Sequence, residues 1–437
     1  MRWILRALLV VAAVAIAWLG IVWSGVLPRV TPEQRAALAF LREMSPPPPG
    51  RNAFALLWAQ PWAVPEGQEE TLLAEDLARF ADWEARWVDH QRRNPEGDTD
   101  ETIAAFESIA AERHGRRARL PDGKDWLCDA EWDADCLAAV AKNPDAARAA
   151  LEAVSDSIAL AERLAQFDHV RNPFPPSFLV PIVGYGDWAR IALNVAALRA
   201  EQGDMDAALE ELCRFGNTWR RLRTGADSLL SEMVGIAWVT IAVQNALAFG
   251  ATSPVDSSWP SACGALLAPL SPTERDQCNA MRNEFAGLER GLRLFEGIAP
   301  TGALPVPENF EHSLALFAQA YAPTCPAISA GTAEGCALDE WVFNPAGCRL
   351  LGPMAGPQSL YASYAERLRD LDRRLALARA ARWWRAQPGA STAETPVWPD
   401  EFAAIRAEIT IDAATRTLSL PMRDTSNPKR LVFRVRY

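Results

Sequence analysis

Between Ala7 and Leu27 the chain runs without a charge, ALLVVAAVAIAWLGIVWSGVL. At ~1.5 Å per helical residue, such a run matches the ~30 Å hydrocarbon core of a bilayer. Arg2 and Arg6 precede it, so the positive-inside rule places the N-terminus in the cytoplasm and everything after Pro28 outside. A cleaved signal peptide is the alternative, with Ala15-Ile16-Ala17 as a small-x-small site. The apolar run continues past that site through Trp18–Trp23, longer than an ordinary signal core. The expectation is therefore an uncleaved transmembrane anchor in residues 1–28.

Cysteine usage agrees with an oxidising compartment. All eight cysteines lie beyond the anchor, and an even number outside the cytoplasm predicts disulfides. The short separations favour Cys128–Cys136, Cys263–Cys278, and Cys325–Cys336 or Cys325–Cys348. With no CxxC pair and four histidines, a zinc site is not expected. The net charge of −11 argues against a nucleic-acid partner, which would need a basic field.

The pattern after the anchor is mainly α. Thr31-Pro-Glu-Gln34 reads as a capping box, and Ser45-Pro-Pro-Pro-Pro-Gly50 as a stiff linker, so 29–50 is a short helix and spacer. A helical domain of irregular hairpins fills 51–395. Its helices are expected at 69–90, 143–167, 187–202, 205–222, 226–249, 271–297 and 358–385. Cys278, Met281, Phe285, Leu288, Leu292 and Phe295 form one apolar stripe. From 396 to 437 the period changes to two, which predicts a small antiparallel β unit.

Residues Ile191–Phe215, IALNVAALRAEQGDMDAALEELCRF, resemble a tetratricopeptide-type helical hairpin, with Gln202-Gly203-Asp204 as the turn. Ala192 and Phe215 depart from that pattern, and no second copy follows at the repeat's period of ~34 residues. On the anchor, that hairpin, Asp227-Ser-Leu-Leu-Ser-Glu-Met233 and Phe343-Asn-Pro-Ala-Gly347, the chain resembles a class of uncharacterised membrane-anchored envelope proteins of Gram-negative bacteria. The resemblance implies an inner-membrane anchor and a periplasmic body, and it assigns no particular activity.

No reaction motif stands out. GxSxG, Walker A and GxGxxG turns are missing, and His90, His114, His169 and His312 make no HExxH or HxH pattern. Cys128–Cys136 encloses acids at 129, 131, 133 and 135 that resemble a calcium loop, but Ala134 stands where that loop needs Gly and Val140 where it needs Glu. A solvated acidic loop closed by a disulfide is the plainer reading, and no metal or cofactor is expected. Asp168-His169 is a weak acid–base candidate, and Asp227-Ser228 reads as a helix cap. Trp383, Trp384 and Arg385, with Arg430, Arg434 and Arg436 alternating along the last strand, are candidates for an interaction surface. The expectation is a membrane-anchored interaction or assembly accessory of the cell envelope with an envelope protein partner. The alternative is an enzyme acting on envelope polymers or lipids through dispersed acids. The first predicts an exposed apolar patch, the second a pocket with converging carboxylates.

Overall fold

A computed structural model describes residues 2–24, 30–94, 105–130, 135–177, 179–254, 258–295, 310–321, 325, 336–351, 360–387, 397–424 and 432–436. The described chain is mainly helical and ends in a small antiparallel sheet.

Helix α1 spans Arg2–Ser24. Its Leu9, Val10, Val11, Val14 and Ile16 are 62–69% exposed and form an apolar surface left open by the described residues. Trp18 Nε1 donates to the Val342 carbonyl at 3.1 Å and ties α1 to the body. Among the described residues, the apolar stretch of α1 is Leu9–Trp18, shorter than a bilayer crossing. The helix there that is long and apolar enough is a later one, Leu229–Thr252, and 72% of its apolar window is buried inside the molecule. Helix length and apolarity in the structure therefore do not support the expected N-terminal transmembrane helix.

Helix α2, Pro32–Arg42, opens on the expected capping box. Gln34 N donates to Thr31 Oγ1 at 3.2 Å, and Thr31 N donates to Gln34 Oε1 at 2.9 Å. Its Ala37, Leu38 and Leu41 are buried, so α2 packs into the helical body. Next come α3 (Phe54–Ala59), α4 (Glu69–Arg93), α5 (Ala110–Arg113) and α6 (Cys136–Ala141). The single helix expected over 143–167 is two, α7 (Pro144–Ala153) and α8 (Ser155–Leu164). The chain tightens at Val154, whose N–H reaches back three residues to Leu151 O at 3.1 Å.

Helices α9 (Trp188–Glu201) and α10 (Met205–Thr224) form the expected hairpin around Gly203, whose φ of +86° suits glycine. Helix α11, Leu229–Thr252, has no distinct polar face and is largely buried among the other helices. Gly216 lets α10 meet α11 and α12 (Ser261–Leu267). A Cβ there would lie 2.6 Å from Leu266 Cδ1 and 2.9 Å from Ala242 Cβ. The helix expected from Ser271 begins later. Glu274, in a 3-10 turn, is drawn to Ser271 N and the Arg220 guanidinium, and α13 then starts at Cys278–Phe295.

Helices α14 (Phe310–Tyr321), α15 (Leu338–Phe343), α16 (Pro345–Leu351) and α17 (Leu360–Arg385) complete the described helices. Strands β1 (Thr410–Asp412), β2 (Thr417–Pro421) and β3 (Val432–Arg436) pair antiparallel in that order. Leu418 and Val435 are register partners and both are buried. Asp370 of α17 holds the sheet's end by accepting from Arg423 N at 2.8 Å and Asp424 N at 2.9 Å.

Two cores result. The larger joins α3, α4, α9–α12, α17 and the sheet, and the smaller joins α2, α13, α14 and α16. Cysteines stand at disulfide distance as Cys128–Cys136, Cys213–Cys263, Cys278–Cys325 and Cys336–Cys348. The pairings of Cys263 with Cys278, and of Cys325 with Cys336 or Cys348, are corrected. Cys263 faces α10 in the larger core, while Cys278 opens α13 in the smaller one. Nearness in sequence gives Cys128–Cys136, as expected, while contact between distant elements decides Cys213–Cys263 and Cys278–Cys325.

Candidate functional site: an apolar cleft with two carboxyl groups

Where the two cores meet lies a cleft of about 540 Å³, within the ~300–1,000 Å³ usual for small-molecule sites. Three segments supply most of its wall, joined by Phe54 of α3 and Tyr321 of α14. The first is the proline-rich loop 172–185, which cannot pair as helix or strand and is pinned by side chains instead. Asn52 brackets its start, donating to Arg171 O at 2.8 Å and accepting from Arg171 N at 2.9 Å. Asn172 then accepts from Phe174 N at 2.9 Å, a local turn that turns Phe174 into the core.

The second segment is the start of α11. Ser228 is the N-cap and accepts from Leu230 N at 3.2 Å. Asp227, just outside the helix, accepts from Asn172 N with both oxygens, at 3.1 and 3.0 Å, and so joins loop to helix. The third is the face of α13 carrying Glu284, Gly287, Leu288, Gly291 and Leu292, spaced i, i+3, i+4, i+7, i+8. Glu284 accepts from Leu229 N at 3.1 Å, so a side chain from another helix completes the cap of α11.

The cleft is mostly aliphatic and aromatic, with Ile182 (73% exposed) and Leu230 (41% exposed) on its open side. Its polar groups cluster at the start of α11. Burial pushes the Asp227 carboxyl up to about 6, against the pull of Asn172 N–H and the Arg171 charge. Burial also raises Glu284, opposed by its bond from Leu229. Tyr185 contacts Ser231 through its hydroxyl, and burial pushes the phenol up to about 12. Trp238 packs beside Tyr185 at 5.8 Å and against Trp219 at 4.2 Å between ring centres, which stiffens that wall. No Lys, Arg or His is among the described residues lining the cleft. Chemically, this is a greasy groove with a weakly acidic, hydrogen-bonding end.

The residues singled out in the sequence lie elsewhere. Trp384 is buried, and Trp383 stacks at 5.4 Å on Trp398 in a cluster with Phe402. Arg385 donates to Gly250 O and Ser253 O and caps the end of α11. Each of these three packs or bonds within the molecule, and Trp383 and Arg385 are half-buried. Arg434 and Arg436 sit in β3 opposite Ser419 and Thr417, and Arg430 lies outside the described residues. Residues 131–134 of the acidic loop also lie outside them. Among the described residues, no group of three or more His, Cys, Asp and Glu is placed to hold a metal ion. Asp168 turns to Arg51 N at 2.8 Å while His169 is buried, so the two do not act as a pair.

Glu284, Tyr185 and Ser231 were not expected as site residues. The signal for the first was present, as an acid and two glycines on the apolar stripe of α13. Compared with protein families, curated proteins and solved structures, the chain matches none.

Proposed function

We propose that this protein is a membrane-tethered, extracytoplasmic binding protein that takes an apolar-chain molecule into the cleft between loop 172–185 and α13. The observation that carries the reading is the cleft itself, a mostly apolar wall on which Asp227, Ser228, Ser231, Tyr185 and Glu284 gather about the start of α11. That is the division of a site for an amphiphile. The tether is α1, supported by the uncharged run 7–27 and by the exposed Leu9, Val10, Val11, Val14 and Ile16. Four cysteine pairs at disulfide distance support an oxidising compartment such as the periplasm. An envelope assembly role is retained in modified form, with a lipid-like molecule as the thing handled.

An enzyme acting on lipids is the second reading, favoured by the burial that keeps the Asp227 and Glu284 carboxyls protonated to a higher pH than usual. Binding is preferred because both oxygens of Asp227 already serve Asn172 N and Glu284 already caps Leu229. The test is titration of the purified protein with a fluorophore on a neutral dodecyl chain. Saturable binding to wild type, lost in Leu288→Arg and Gly287→Trp while their melting curves persist, is expected. Equal binding by wild type and both variants would overturn the reading.

A further inference from the structure

The charge on the cleft wall goes further and names the head group. We propose that the ligand's polar end is cationic, an alkylammonium-type head seated between Asp227, Glu284 and the Tyr185 hydroxyl, and that anionic amphiphiles are rejected. The inference rests on the binding reading of the same cleft. Two carboxyl groups line it, and among its described residues no cation does. A buried carboxylate repels an anionic head and attracts an ammonium, more strongly here than in water because the surrounding wall is apolar. Tyr185 adds an aromatic ring of the kind that accepts ammonium groups, and Trp238 backs it, the two rings meeting edge to face at 5.8 Å.

The groups facing Asp227 are Glu284 from α13, Tyr185 from the loop, and Arg171 from the segment before it. Arg171 does not neutralise the site from within, since its guanidinium is turned to Ser45 O and Asn279 Oδ1 and does not line the cleft. Asp227 titrates near 6 and Glu284 above its ordinary range. The preference for a cation is therefore strongest above neutrality and fades as acid neutralises the wall.

The experiment is competition against the neutral dodecyl fluorophore, using the full-length protein in a nonionic detergent. The competitors are dodecyltrimethylammonium, whose charge does not titrate, dodecanol and dodecanoate. At about pH 8 the ammonium compound should displace the probe at least about tenfold more tightly than dodecanoate, with dodecanol between. The advantage should shrink on going to about pH 5 and should be reduced in Asp227→Asn and in Glu284→Gln. Binding of all three with no preference for the cation would overturn this inference and leave the cleft reading standing. No displacement by any of them, with no saturable binding of the probe itself, would remove both.

Discussion

At the residue scale, the molecule depends on a few buried charged groups with defined partners. Arg220 is the clearest. It donates to the carbonyls of Ala265, Leu266 and Ala268 at 3.0, 2.9 and 2.8 Å and to Pro269 O at 2.8 Å, and pairs with Glu274. Burial alone would raise Glu274, but this pairing and the Ser271 bonds hold it at about 2. Arg220→Met strands those acceptors and should destabilise the fold by ~3–5 kcal/mol in denaturant unfolding. Asp227 and Glu232 behave in the opposite way, since burial pushes them up to about 6 and about 7. A carboxyl with a raised folded value binds its proton more tightly when folded. Its contribution is most favourable in acid, below its ordinary value, and is lost as pH rises through the folded value. For Asp227 the difference is on the order of 2–3 kcal/mol. Between about pH 4 and pH 7, wild type should therefore lose melting temperature relative to Asp227→Asn as pH rises. A difference curve that rises instead would show that Asp227 is stabilised as the anion. Such residues were hard to find in the sequence, because one acid among 55 becomes special only when the fold buries it.

At the scale of elements, local chemistry in the sequence predicts where α2 starts, because Thr31 and Gln34 satisfy each other's backbone N–H within one turn. The turn at Gly203 and the alternation leading to β1–β3 are local in the same way and were legible. The break at Val154 and the delayed start of α13 were not. The first is set by packing of Val154 into the core, and the second by Glu274 turning to Arg220 from a distant helix. The cysteine pairs divide similarly. Cys128–Cys136 is local, while Cys213–Cys263 depends on α10 lying against α12. The same contact depends on Gly216, so Gly216→Val, which puts carbon where Leu266 and Ala242 already sit, should cost about 1–3 kcal/mol in thermal or urea unfolding. Stability equal to wild type would mean that these helices stand further apart.

At the scale of the whole molecule, two helical cores braced by paired cysteines meet at a groove, and the N-terminal helix carries an exposed apolar surface. Mass spectrometry of the unreduced protein should find each of the four pairs as a cross-linked peptide, two hydrogens lighter than its reduced form. The groove was not legible in the sequence because its walls come from segments far apart in the chain, and only their packing makes the space between them. The partners of Trp383 and Arg385 were hidden for the same reason, since they lie in the distant 398–402 segment and at the end of α11. The most direct test of the account is photolabelling in native membranes with an alkyl amine carrying a diazirine on its chain, followed by peptide mapping of the full-length protein. The account predicts label on α1, and on residues 172–185 and 284–292, the latter competed away by excess unlabelled amine. Label confined to α1, with the cleft segments unmodified, would contradict it.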